Sequence, residues 1–242
     1  MRGRSPARAG RNGVRAEAAA PAVDADLDTY RRLRDAIVSG RFQPQERLVE
    51  AGLAEVLGAG RAAVRAALVR LDQEGLVVRE PNRGARVRLV TDQEALEIEE
   101  VRGALERLLA ARAAERALPA DERVLRRVLA EMRRRVAEGD SIGYSELNSR
   151  FHERIWAIAG HSTAARIVGN LKSQSIRFQY QTALRPGRAE RSLREHEAIC
   201  SAIAAHDPEA ADAAMRDHLA EVQDTLRWTI DSQRRMTGWL TG

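Results

Sequence analysis

The chain carries one cysteine in 242 residues, which excludes an internal disulfide and fits a reducing compartment. That residue, Cys200, lies among Ile199, Ala202 and Ile203 and reads as an inert core thiol. Aromatic residues make up only 4%, while Ala, Leu, Arg and Glu dominate, a balance that favours helices over sheets. No apolar run approaches the roughly 18–20 residues needed to cross a bilayer. No apolar leader suggests secretion either, so a cytoplasmic protein is expected. Lysine is almost missing: of 40 basic residues only Lys172 is not arginine. The net charge of +5 allows a polyanionic partner. An Arg- and Ala-heavy composition can also reflect genome bias, so charge alone does not establish nucleic-acid binding.

The length suffices for two modest domains, each with its own core. Residues 1 to about 25 have no apolar periodicity and read as a disordered tail. Its Arg2, Arg4, Arg8, Arg11 and Arg15 are placed to touch phosphates or nothing; the arginine-rich start also shares features of an organellar transit peptide, without the amphipathic stripe. From Leu27 the apolar spacing turns helical, with Gly40 as a stop. A short helix is expected over 48–57, a turn at Gly58 to Gly60, and a third helix over 61–74. Two strands follow, 76–79 and 85–90, joined by Pro81, Asn82, Arg83 and Gly84. Thr91 and Glu94 match a capping box that opens the next domain. Beyond it the periodicity is helical throughout, over about 92–117, 120–138, 141–159, 163–184, 188–206 and 208–234. The expected fold is mainly α: a winged helix-turn-helix domain over 26–90 and an all-helical bundle over 91–235.

The stretch from Leu53 to Val78, LAEVLGAGRAAVRAALVRLDQEGLVV, carries the strongest functional signal. Arg61 and Arg65, one turn apart, share a helix face opposite the apolar stripe of Val64, Leu68 and Leu71. A helix fits the major groove of B-DNA, where guanidinium groups grip guanine edges or phosphates. Residue by residue, an exposed arginine face on an ordinary helical domain explains as much; the ordered combination of helix, turn, helix and wing does not reduce to it.

This segment resembles the winged helix-turn-helix of GntR-type transcriptional regulators. The stretches that carry the resemblance are LRDAIVSGRFQP, ERLVE, LAEVLG, the Arg61-x-x-x-Arg65 pair, and ALVRLDQEGLV followed by PNRGARV. It implies that Arg61, Ala62 and Arg65 face double-stranded DNA and that Arg83 and Gly84 act at the wing. The chain departs from the pattern where Gly60, Ala62, Ala63 and Ala66 replace the usual Ser, Thr, Pro and Glu. Ala51 and Gln45 replace an arginine and a glycine in the same way. Each missing good contact costs roughly 1–3 kcal/mol of recognition.

In the second half, His152, His196 and His218 fall on core-facing helical positions, and Asn148 sits one turn before His152. Each histidine alone reads best as a satisfied core residue; three on separate helices suggest convergence. His161 and His206 fall at helix junctions and are expected in solvent. The segments EVRGALERLLAARAA, LNSRFHERIWAIAG and REHEAICSAIAAHDPEAADAAMRDHL resemble the FCD effector domain of the FadR branch of the same regulators. In its metal-binding members an Asp four residues before a His, that His, and two later histidines are ligands. They map onto Asn148, His152, His196 and His218, so a neutral carbonyl oxygen replaces a carboxylate. The resemblance implies a divalent transition metal, zinc or nickel first, that anchors a small organic acid, with Arg102 as carboxylate partner. For Arg102 an i,i+4 surface pair is the competing role. It also implies a homodimer.

Two functional classes follow. One is a metabolite-responsive DNA-binding transcriptional regulator, not an enzyme, in which the metal itself can also be the signal. The other is a metal-dependent enzyme using the three histidines and an open position for water. That enzyme would need a general base; Glu195 and Glu197 flank His196 at helical angles that point away from its face.

Overall fold

The computed structural model describes residues 22–80, 83–176, 178, 182 and 185–238. The arginines expected in the N-terminal tail lie outside these residues, as do Pro81 and Asn82 of the expected hairpin turn. The first half contains α1 (Ala22–Val38), β1 (Arg47–Leu48), α2 (Glu50–Leu57), α3 (Arg61–Gln73), β2 (Val77–Glu80) and β3 (Gly84–Val87). The helices pack through Leu33, Val64, Leu68 and Leu71, all fully or nearly fully buried, as the apolar spacing required. Each such side chain contributes about 1.5–3 kcal/mol on leaving water. Gly58, in the left-handed conformation, closes α2 and turns the chain into α3.

The sheet differs from the expected hairpin. Leu48 does not open α2; with Arg47 it forms a strand, and the sheet order is β1-β3-β2, antiparallel throughout. Leu48 pairs with Ala85 and Val77 with Val87, so these apolar residues cover α3. Periodicity cannot detect a two-residue strand, because only its distant partner strand defines it.

The second half is helical: α4 (Asp92–Arg116), α5 (Pro119–Ala137), α6 (Ser141–Ala159), α7 (Ser162–Gln174), α8 (Arg188–Ala204) and α9 (Pro208–Gly238). Thr91 caps α4 by accepting from the Glu94 N–H at 3.2 Å. The reciprocal half of the box is not made, because Glu94 pairs with Arg88. Asp140 and Asp207 cap α6 and α9 by accepting from Gly143 and Ala210. The helix expected over 163–184 ends at Gln174, and most of the remainder lies outside the described residues. The core runs through Leu109, Leu125, Met132, Phe151, Ile155, Ile199, Ile203 and Met215. Among the described residues no helix is long and apolar enough to cross a membrane.

The end of α7 touches the winged helix. Gln174 donates to the Glu74 carbonyl at 2.8 Å and accepts from Arg88 at 3.0 Å, and Arg34 donates to Ser173. Gly75 makes this approach possible: its φ is +71°, and a Cβ there would lie 2.8 Å from the Gln174 amide nitrogen.

Candidate functional site

Two sites need description, one on each half. On the winged helix, an open groove is lined by Arg47, Arg61, Arg65, Arg79 and Arg83, together with Glu50, Glu80 and Gly84. Arg61 and Ala62 are exposed in the first turn of α3. Arg65 is not free: its Nε and Nη2 donate to the two Glu50 oxygens at 3.0 and 2.8 Å. That bond, with the guanidinium charge, holds Glu50 below its ordinary carboxylate value despite partial burial. Arg47 donates from Nε to the Arg83 carbonyl at 3.3 Å, which ties β1 to the wing. Gly84 has φ +87° and a built Cβ would meet the Leu48 carbonyl at 2.4 Å, so only glycine fits this strand crossing. The sequence pattern pointed to Arg61, Arg65 and Arg83 but missed Arg47 and Arg79. Both sit on strands whose place beside α3 is fixed by pairing rather than by local periodicity.

The second site lies inside the helical half. His152 on α6, His196 on α8 and His218 on α9 are all buried. Their nitrogens approach within 4.8 Å of one another. A carboxylate stands behind two of them: His152 Nδ1 lies 2.5 Å from Glu106, and His218 Nδ1 lies 2.7 Å from Glu195. Burial opposes ionisation of Glu106, yet the charges of His152 and Arg102 hold its carboxyl far below the usual carboxylate range. Burial likewise works against Glu195, but His218 and Arg188 keep it low. An ionised carboxylate only accepts, so each of these histidines presents an Nδ1–H to its carboxylate and leaves Nε2 facing the cluster. His196 Nδ1 meets the Tyr144 hydroxyl at 3.3 Å, and its Nε2 faces His152 Nε2 at 3.3 Å. Burial and the neighbouring imidazoles push His196 well below its ordinary value. Burial also pushes His218 down to about 4, against the pull of Glu195. His196 and His218, so disfavoured as cations, are suited to act as ligands.

The donor set fits a divalent ion. A tetrahedral ion with nitrogen bonds of about 2.0–2.1 Å needs nitrogens about 3.3–3.4 Å apart. The His152–His196 separation of 3.3 Å meets that requirement. Asn148 Oδ1 is buried with no hydrogen-bond partner, an orphaned acceptor in the wall beside His152. The three-histidine cluster could therefore hold a metal, and a cavity of about 70 Å³ opens beside it, lined by Arg102, Tyr144, Asn148, Lys172, Arg188 and Ser192, among others.

Arg102 lines this cavity, but not as an uncommitted partner for a ligand. It is buried and donates to Glu99 at 2.7 Å and to Glu106 at 2.6 Å. The competing surface-pair reading also fails, since the i,i+4 pair exists but in the core. Glu195 corrects another expectation. It does point away from His196, yet it crosses to His218 on the neighbouring helix. Glu106, Tyr144 and Arg188 escaped the sequence reading, as did the places of Lys172 and Glu195 in the site. A carboxylate on the buried stripe of α4, at Glu106, was the signal available. His161 is exposed and caps α7, while the exposed His206 bonds the Ala114 carbonyl at 2.9 Å.

An arginine-lined winged helix joined to a helical bundle with a buried polar site defines a class, the two-part DNA-binding regulator. The comparisons agree. The family model "Bacterial regulatory proteins, gntR family" matches residues 26–87, and the FCD domain model matches residues 97–221. The chain is 28% identical over 207 residues to the HTH-type transcriptional repressor RspR of Escherichia coli, covering 86% of this chain and 91% of that protein. It is 28% identical over 201 residues to the transcriptional repressor GlaR of the same organism, covering 80% and 91%. Among solved structures, E. coli McbR/YncC superposes with a TM-score of 0.74 at 22% identity, covering 85% of this chain and 98% of that one. A GntR regulator from Rhodococcus gives 0.64 at 23%, covering 84% and 97%. The chain belongs to the GntR family of DNA-binding transcriptional regulators, in the FadR subfamily that carries an FCD domain. Its curated relatives are transcriptional regulators.

Proposed function

We propose that the protein is a cytoplasmic homodimeric regulator whose helical half, residues 91–235, binds a small organic acid through a metal ion and thereby governs the winged helix of residues 26–90. The observation that carries this reading is the convergence of three imidazoles, two of them backed by carboxylates, beside a cavity lined by Arg102, Lys172 and Arg188 among others. His152, His196 and His218 would hold zinc or nickel, with Asn148 as a neutral fourth donor. The ion would supply a positive centre for a carboxylate. Glu106 and Glu195 orient the rings of His152 and His218, and burial disfavours protonation of His196 and His218.

On the winged helix, Arg61, Ala62 and Arg65 would enter the major groove of double-stranded DNA, and Arg83 and Gly84 would act at the wing. Arg47 and Arg79 extend the same cationic groove toward the phosphates. In a dimer, an acid in each bundle would bias the placement of two winged helices on half-sites.

Two measurements test the reading. Elemental analysis of protein purified without chelator should find about one zinc or nickel per chain, and combined His152→Ala, His196→Ala and His218→Ala should abolish it. An unchanged metal content in that variant would overturn the ligand set. A fluorescence titration against the protein's own upstream region should show salt-sensitive binding that Arg61→Ala with Arg65→Ala removes.

A further inference from the structure

A second cavity, of about 320 Å³, lies where the winged helix meets the end of α7. Ile37 and Phe42 line it from α1 and the turn that follows, Leu76 and Val87 from the sheet region, and Val90 and Ile176 from the bundle side. Ser173 and Gln174 of α7 belong to the wall as well, so both halves of the molecule build it. Among the described residues it shares no lining side chain with the histidine cavity. The two are nonetheless neighbours along α7, since Lys172 lines one and the next two residues line the other.

The polar side chains of this wall are already engaged within the protein. Ser39 donates to the Ala36 carbonyl at 3.3 Å and Gln43 to the Gly40 carbonyl at 2.6 Å. Ser173 donates to the Gly169 carbonyl at 2.8 Å, and the Gln174 amide is used at both ends, by the Glu74 carbonyl and by Arg88. Arg88, the only charged lining residue among those described, is matched by Glu94. A charged ligand would lose its water here without gaining a partner, which is strongly disfavoured. What the wall has left to offer is apolar surface. Its volume is at the lower end of small-molecule pockets, and too small for a docked helix, which is about 10–12 Å across.

We infer that this junction cavity binds a small uncharged apolar molecule, one or two rings in size, which holds the winged helix against the bundle. Because both halves build the wall, a molecule that fills it favours their docked arrangement by mass action. The inference draws on neither the metal nor the acid, and it stands or falls apart from them.

Benzophenone serves as the probe, being uncharged, two-ringed and able to insert into nearby C–H bonds on irradiation. Added to the full-length protein, it should label saturably within Asp35–Arg47 or Leu71–Arg79, the tryptic stretches that hold Ile37, Phe42 and Leu76, as read by mass spectrometry. In calorimetry 4-benzoylbenzoate, the same molecule with a carboxylate, should bind at least about tenfold more weakly. Val38→Trp, which fills the cavity with a ring of its own, should abolish the labelling. At ten times its dissociation constant, benzophenone should slow amide exchange over residues 37–44 and 173–176 by up to about tenfold. Gln174→Ala, which loosens the junction, should weaken its binding by about threefold or more. No saturable labelling, or labelling confined to other segments, overturns the inference, and so does equal affinity for the carboxylate. Exchange at the junction that the probe leaves unchanged overturns it too. If Val38→Trp does not fold, the labelled positions in the wild type decide alone.

Discussion

Glu106 offers the most demanding test of the histidine cavity. It is fully buried on α4 and accepts from three side chains at once. Arg102 donates through Nη2 at 2.6 Å, His152 through Nδ1 at 2.5 Å and Trp156 through Nε1 at 3.3 Å. Glu106→Ala would leave Arg102 with Glu99 alone and strand two further donors. Removing one partner of a buried ion pair typically costs about 3–5 kcal/mol. Glu106→Gln isolates the charge from the volume. Its amide can accept on one side only, so its NH₂ must face a donor, and the expected loss is about 2 kcal/mol. The same change removes the carboxylate that orients His152, which should weaken metal binding by about 10–100-fold. Urea unfolding in the presence of chelator reads the first effect, and competition against a chromogenic chelator reads the second. A Glu106→Gln protein as stable as the wild type, with unchanged metal affinity, would refute both the buried network and the role assigned to it.

Other outcomes follow from single contacts. Glu50→Gln should release Arg65 and remove a negative charge from the groove, raising DNA affinity by on the order of threefold at low salt; an unchanged or weaker anisotropy isotherm would mean that Arg65 does not reach DNA. Gly84→Ala must displace the Leu48 carbonyl and hold alanine at positive φ, a strain of about 1–3 kcal/mol. DNA binding should fail while metal content stays at the wild-type level, and normal DNA binding would show that the wing tolerates the change. Cys200 is buried with its thiol pushed up by that burial, so less of it is thiolate at neutral pH. It should react with a disulfide reagent only when urea opens the bundle; rapid labelling of the native protein would contradict the packing.

Much of the molecule was legible in the chain because it is local. The buried stripe of Val64, Leu68 and Leu71 follows from the 3.6-residue period, and the ends of α6 and α9 follow from Gly160 and from Asp207 before Pro208. The three histidines were legible as a set, since each sits on an apolar helical face. Their supporting groups were not. Glu106 and Glu195 are charged residues in helices full of charged residues, and only the packing of α4 against α6, and of α8 against α9, shows which of them turn inward. The strand at Arg47–Leu48 was hidden for a related reason: it is decided by β3, distant in sequence.

The almost complete absence of lysine gives the arginine-lined groove of the winged helix an unusual property. Its cations, Arg47, Arg61, Arg65, Arg79 and Arg83, keep their charge at any physiological pH and offer no amine to acyl donors. Acetylation, a common way to weaken a protein's grip on DNA, has no purchase on this surface. The one ε-amine of the chain is sealed inside the other half of the molecule. Neither acylation nor pH can discharge the groove.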